Sequence, residues 1–179
     1  MIVTDDDALA ERLRSLRNLG FRAERRFHHE MLGFNFRLTN LQAALGVAQL
    51  ERIDEIVARK RELAALYTER LSGIEGLTLP AEKPWARSVF WMYGLLVDEG
   101  TGLDATALAE RLGERGIETR PFFLGMHEEP ALHRLGLFSD ERYPVAERLA
   151  RQGLYLPSGL ALTDEQVETV CAAVAESLA

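Results

Sequence analysis

Two polar side chains share one short loop, Asn35 and Arg37 in Gly33-Phe-Asn-Phe-Arg-Leu-Thr-Asn-Leu-Gln-Ala-Ala-Leu-Gly46. An amide beside a guanidinium suits a phosphate or a carboxylate, the guanidinium through paired N–H···O bonds. Thr39 with Gln42 three residues on is a capping box, so a helix opens just after the pair and turns its positive end toward them. A turn-forming Asn next to a surface Arg is the competing reading, and spacing alone does not separate the two. Arg120-Pro-Phe-Phe-Leu-Gly-Met-His127 is the second candidate. A strand ending in Arg, then a Pro-aromatic turn and a His, could form a lip for an anionic, ring-shaped ligand. It could equally be a packed aromatic turn with a solvent-facing His. His28 and His29 are weaker, because neighbours on a strand point opposite ways and at most one faces a site. No His/Glu/Asp group has metal-ligand spacing, and no nucleotide loop, Gly-x-Ser-x-Gly elbow or zinc-protease motif occurs.

These residues need elements to hold them. Met1-Ile-Val-Thr4 reads as the end of a strand, and Asp5 to Asp7 cap a helix to about Asn18, with Leu9, Leu13 and Leu16 on one stripe and Gly20 as its stop. Phe21 to Leu38 is loop-like and carries an Arg22/Arg25/Arg26 cluster. From Leu41 to Leu50 only Gln42 and Gln49 are strongly polar, which predicts a helix buried on every side. The helical pattern continues to Leu71 with Ile53, Ile56 and Val57 inward, a rod of about 45 Å that bridges two bodies. Beyond the Gly73/Gly76 turn, short strands are expected at Leu77–Pro80, Ile117–Arg120 and Leu154–Pro157. Val89–Val97 is near-continuously apolar and predicts a strand covered on both faces. Asp104 caps a helix to about Arg115, Tyr143–Gln152 forms another, and a second capping box, Thr163 with Gln166, opens the last. This alternation predicts an α+β lobe.

With 179 residues, 47% of them hydrophobic, the chain can form one domain, or one plus a fragment. A net charge of −7 argues against nucleic-acid binding, while a local Arg cluster leaves anionic small molecules open. Of 21 basic residues only Lys60 and Lys83 are lysine, and both read as solvated surface groups. The single Cys171 excludes an internal disulfide and, among Val167, Val170 and Val174, reads as a small buried thiol. No apolar run approaches the ~20 residues of a membrane span and no signal-peptide pattern opens the chain, so a cytoplasmic protein without membrane contact is expected.

The Gly33–Ala44 segment resembles the GYNFRMTNLQAA signature of the DegT/StrS-type nucleotide-sugar aminotransferases, with perosamine-synthase-like members among the nearest. Val3-Thr-Asp to Ser15-Leu-Arg-Asn18, Phe90-Trp-Met-Tyr93, Arg120-Pro-Phe-Phe with His127, and Leu156-Pro-Ser-Gly-Leu-Ala-Leu-Thr163 extend the likeness along the chain in the family's order. The resemblance implies an α/β fold, the C-terminal small domain of a fold-type-I pyridoxal-phosphate-dependent transferase. Residues 1–38 would be a remnant of the cofactor-binding large domain with its active-site loop, 39–72 a long inter-domain helix, and 73–179 the small α+β domain. Asn35 would then bind the phosphate of pyridoxal 5'-phosphate held by a neighbouring subunit, and Arg37 would face a substrate or amino-donor carboxylate. His127 and Arg120 would line the nucleotide-sugar pocket, with His29 nearby. Gly125 stands where the family usually carries proline.

The family's Schiff-base lysine lies upstream of the segment matching Met1–Thr4, and its amine is what reacts with the cofactor. The resemblance therefore implies the C-terminal part of an aminotransferase that moves an amino group from an amino acid, glutamate in the family, to a keto group of a nucleotide-linked sugar. Alone it would be inactive and would bind no cofactor covalently; it would work in a homodimer or with a paralogue subunit. A different class of reading is a non-catalytic interaction module pairing with a full-length paralogue, and a dehydratase, with His for Lys, is a third. In each, the apolar turn Leu41–Leu50 would lack its covering domain and drive association.

Overall fold

Asp6 starts the first helix by accepting the N–H of Leu9 on its carboxylate at 3.0 Å, and α1 follows over Asp7–Arg17. The computed structural model describes every residue except Met1, residues 22–24, Arg26, Glu30 and Ala179. Two members of the Arg22/Arg25/Arg26 cluster therefore lie outside the described residues, as does Met1 of the expected first strand. Ile2 to Thr4 form no strand: Ile2 and Val3 are exposed and pair with no strand among the described residues. Leu19 and Gly20, both at positive φ, turn the chain out of α1.

The second helix, α2 (Asn40–Glu51), opens on the full capping box, with the Thr39 N–H donating to Gln42 Oε1 at 2.9 Å and the Gln42 N–H to Thr39 Oγ1 at 3.3 Å. It ends at Arg52, whose N–H turns to the carbonyls of Gln49 and Leu50, and α3 begins afresh at Ile53–Leu71. The single rod expected from the periodicity is thus two helices, because Arg52 leaves the i→i−4 ladder. The chain also divides here, into units Met1–Arg52 and Ile53–Ala179. Burial of α2 on every side is not met in this chain. None of its residues is buried, and Leu41 is 82% exposed.

The second unit is built on a four-stranded antiparallel sheet ordered β1-β2-β4-β3, where β1 is Leu77–Thr78, β2 Tyr93–Val97, β3 Arg120–Pro121 and β4 Gly153–Leu156. Tyr93, Leu95 and Val97 of β2 face a core shared with Leu63, Tyr67 and Leu71 of α3, Leu108 and Leu112 of α4 (Ala105–Glu114), and Val167 and Val174 of α7 (Asp164–Leu178). Cys171 is part of that core, and burial pushes its thiol up to about 11. The opposite face carries Phe122 and α6 (Pro144–Gln152), while a four-residue helix, α5 (Pro130–His133), interrupts the connection before it. A Cβ on Gly94 would lie 2.6 Å from the Phe122 ring and one on Gly153 2.1 Å from it, so both strands carry glycine where that ring crosses them.

The predicted strand Val89–Val97 is shorter than its apolar run. Pairing starts at Tyr93, whose N–H donates to Ser158 Oγ at 2.9 Å, and Val89 and Trp91 stay exposed ahead of it. No helix among the described residues is long and apolar enough to cross a membrane.

Candidate functional site

In the first unit the end of α1 anchors the Asn35 loop. Carbonyls in the last turn of a helix have no intrahelical donor. Here Leu16 and Arg17 accept the N–H groups of Phe34 at 2.6 Å and Phe36 at 3.0 Å, and the Leu19 N–H donates to Phe34 at 3.0 Å. The two backbones come so close that a Cβ on Gly33 would sit 2.1 Å from the Gly20 nitrogen, which is why the motif opens on glycine. Extended geometry then sends Phe34 and Phe36 to one side, stacked at 5.1 Å, and Asn35 and Arg37 to the other. The Arg37 Nε donates to Asn35 Oδ1 at 3.2 Å, leaving the outer guanidinium nitrogens and the Asn35 amide N–H groups facing solvent. His29 joins the same knot, with Nδ1 2.8 Å from the Leu19 carbonyl and its ring against Phe21 at 4.7 Å.

The other two candidates lie in the second unit and part company. Arg120 is exposed and lines a cavity of about 430 Å³ with Lys60, Trp91, Glu118, Tyr155 and Ser158. His127 does not line it. The ring is 7% exposed, with Nε2 3.2 Å from Glu147 Oε1 and its edge against Tyr143, and the His127 carbonyl accepts from His133 Nε2 at 2.6 Å. Gly125 makes this pose possible, since a Cβ there would lie 2.5 Å from the imidazole. Glu147 is held below the usual carboxylate range by the Tyr143 N–H first, then by the His127 contact.

Lys60 is the residue that sequence reasoning misplaced. It is not a solvated surface lysine: Nζ donates to the Trp91 carbonyl at 2.8 Å and to the Ser158 carbonyl, and burial lowers its pKa. Its neighbours grip the same rim. Arg59 bonds the Leu162 carbonyl at 2.7 Å and Asp164 at 3.0 Å, and Arg61 bonds Glu82 at 2.7 Å and the Ser88 carbonyl at 2.5 Å. Charge spacing hid this, but helical spacing carried a signal: Lys60 falls on the stripe of Leu63, Ala64, Tyr67 and Leu71, the buried face of α3.

A profile of the DegT/DnrJ/EryC1/StrS aminotransferase family matches residues 1–175. The chain belongs to this family. GDP-perosamine synthase of Caulobacter vibrioides is 37% identical over 179 residues, covering 99% of this chain and 47% of that protein. A Bacillus subtilis relative, EpsN, is 32% identical over 167 residues, covering 93% of this chain and 42% of its own, and bears the words "pyridoxal phosphate-dependent aminotransferase" in its name. Among solved structures, S. venezuelae DesV in complex with a ketimine intermediate superimposes with a TM-score of 0.81 at 35% identity, over 98% of this chain and 46% of DesV. The chain spans about half the length of the curated relatives it matches.

The family's cofactor is pyridoxal phosphate, whose aldehyde needs an amine. This family member has two lysines to offer. Lys60 is committed to two backbone carbonyls, and Lys83 is exposed on the loop that Arg61 pins through Glu82. Lys60 is thus not free for the reacting end of the cofactor, and no described group packs around Lys83 to form a site for it. The Asn35 amide N–H groups, open to solvent, are of the kind that donates to a phosphate.

Proposed function

We propose that this chain is the C-terminal part of a pyridoxal-phosphate-dependent aminotransferase that transfers an amino group from an amino acid such as glutamate to a keto group of a nucleotide-linked sugar. The carrying observation is the Asn35–Arg37 pair, joined to each other and open to solvent on the loop that α1 and the α2 cap hold in place. Asn35 donates its amide to the phosphate of a cofactor whose aldehyde is bound by another polypeptide. Arg37 takes a carboxylate or phosphate oxygen on its outer nitrogens. In the second unit Arg120 meets the nucleotide-sugar directly, and His127, fastened to Glu147, fixes the turn that follows it. His29 ties the segment ahead of the Asn35 loop to Leu19 and so holds the loop's rear edge. The site these groups complete takes its reactive lysine from a part of the enzyme outside residues 1–179 and lies in a dimer of subunits.

Mixing tests this. A full-length GDP-perosamine synthase carrying Asn→Ala at the position matching Asn35 is combined with the chain, and amino-sugar formation is followed. Recovered turnover that disappears with Asn35→Ala in this chain supports the reading. Stable association without any recovered turnover would favour a non-catalytic pairing module, to which the exposed apolar surface of α2 also lends itself.

A further inference from the structure

The loop between β1 and β2 is tied at its neck and open at its tip. Glu82 takes the Arg61 guanidinium on both oxygens, at 2.7 and 2.9 Å, and the Ser88 N–H at 2.6 Å, while Arg61 also donates to the Ser88 carbonyl at 2.5 Å. Between these anchors the Ala86 N–H donates to the Lys83 carbonyl at 2.9 Å, closing a β-turn with Pro84 at its second position. Residues 81–89 are nonetheless all exposed, and Trp85 at the tip is 85% so. Lys83 and Arg87 flank the indole and make no hydrogen bond or ion pair with a described residue. An indole held between two cations on a loop that is already ordered has the composition of an interface anchor and little left to lose on docking.

The same hairpin carries the complement at its other end. β1 and β2 run antiparallel with Leu77 opposite Val97, so Glu75 ahead of β1 comes beside Asp98 and Glu99 after β2, at the end away from the tip. The Asp98 N–H donates to the Gly76 carbonyl at 2.9 Å there, and none of the three carboxylates is ion-paired to a described residue. Gly100 and Gly102 leave the adjoining backbone bare, since a Cβ on either would meet nothing within 4 Å. β1 is an outer strand of the sheet, so this flank is open. Residues 53–179 hold 21 acidic and 13 basic side chains, so two such units repel each other except where a basic tip meets an acidic stretch.

We propose that two copies of this chain associate side by side along β1, running antiparallel, so that the Lys83-Pro-Trp-Ala-Arg87 tip of each seats on Glu75, Asp98 and Glu99 of the other. A two-fold axis beside β1 makes the contact reciprocal, because opposite ends of one hairpin meet opposite ends of its copy. Lys83 and Arg87 pair with the carboxylates, and the Trp85 ring lies on the bare backbone of Gly100 and Gly102. The surface uses no residue of the Asn35 loop or of α2, and the inference stands without the functional reading above.

The test uses the whole chain with Leu45→Gln and Leu50→Gln, so that association through α2 does not mask this one. Sedimentation equilibrium should show a monomer–dimer equilibrium whose constant weakens about tenfold as sodium chloride is raised through the range in which exposed charges become screened. Trp85→Ala should weaken it roughly tenfold or more, the scale of an interface anchor. The deciding arm is a charge swap at exposed positions. Lys83→Glu with Arg87→Glu in one preparation, and Glu75→Lys with Glu99→Lys in another, should each leave a monomer, since like charges then face each other. Mixed together, the two should pair, which also shows that both are folded. A chain that stays monomeric in the Leu45→Gln, Leu50→Gln background overturns the proposal. So does a dimer indifferent to salt and to Trp85→Ala, or a mixture of the two swapped chains that fails to pair.

Discussion

Gly153→Ala is the sharpest probe of how the second unit is put together. The added Cβ would lie 2.1 Å from Phe122 Cγ, 2.3 Å from Cδ2 and 2.4 Å from the Leu149 carbonyl oxygen. Two of these atoms belong to a ring that could retreat, but the third is helix backbone. The ring is itself restrained, stacked on Tyr155 at 4.3 Å, while the Phe122 backbone N–H donates to the Gly153 carbonyl at 3.1 Å. Overpacking of about 1–3 kcal/mol with a share of the aromatic stacking lost puts the cost at about 2–4 kcal/mol. Guanidinium unfolding followed by near-ultraviolet circular dichroism reads this cleanly, since every Trp and Tyr (residues 67, 85, 91, 93, 143 and 155) lies in the second unit. Gly159→Ala is the control: its Cβ meets nothing within 4 Å, and it should stay within about 0.5 kcal/mol of the native chain or gain slightly. Phe122→Ala in the Gly153→Ala background should relieve the ring clash but not the one with Leu149. A Gly153→Ala chain as stable as the control would refute this packing of Phe122 between the sheet and α6.

Two further outcomes follow from exposed features. Arg61 first, then the Ser88 N–H, hold the Glu82 carboxyl down at about 2 instead of 4.5. A carboxyl lowered on folding stabilises fully above its unfolded value and less as pH falls through the folded one, so the melting-temperature gap between the native chain and Glu82→Gln should be widest at neutral pH and close between 4.5 and about 2. A gap that does not narrow on acidification would separate the Glu82 contact from stability. On α2, Leu45 is 70% and Leu50 68% exposed, so sedimentation should show concentration-dependent association of the native chain, reduced by Leu45→Gln with Leu50→Gln. A native chain that stays monomeric at high concentration would mean that α2 needs no cover.

The caps were readable before any coordinates because their chemistry is local. Thr39 with Gln42, Asp104 with the Ala107 N–H and Thr163 with Gln166 each close over three residues, and all three form. Helix stripes were readable only in part: α1 buries none of its Leu9/Leu13/Leu16 stripe and Ile53, expected inward, is exposed, since periodicity does not say what a stripe meets. Strand extent was less so: Val89–Val97 is apolar throughout, yet only Tyr93 onward finds partners on β4, and an apolar run does not say where its neighbour ends. The Asn35–Arg37 pair was legible as a candidate because its side chains, its glycine and its cap fall within ten residues of one another in the sequence.

By itself, the order of residues determined most helical segments and their side-chain caps, though not the break at Arg52 or the short α5, that an amide and a guanidinium share the loop ahead of α2, and which family the chain resembles. Tertiary structure alone decided the fates of Lys60 and His127. The carbonyls that hold Lys60 are 31 and 98 residues away, and the carboxylate facing His127 is 20 away, so no local pattern could tell a bridging ammonium from a solvated one or a buried imidazole from a ligand-facing one. Short-range hydrogen bonds are written in spacing; the partners of a long side chain depend on which distant backbones the packed sheet brings within its reach.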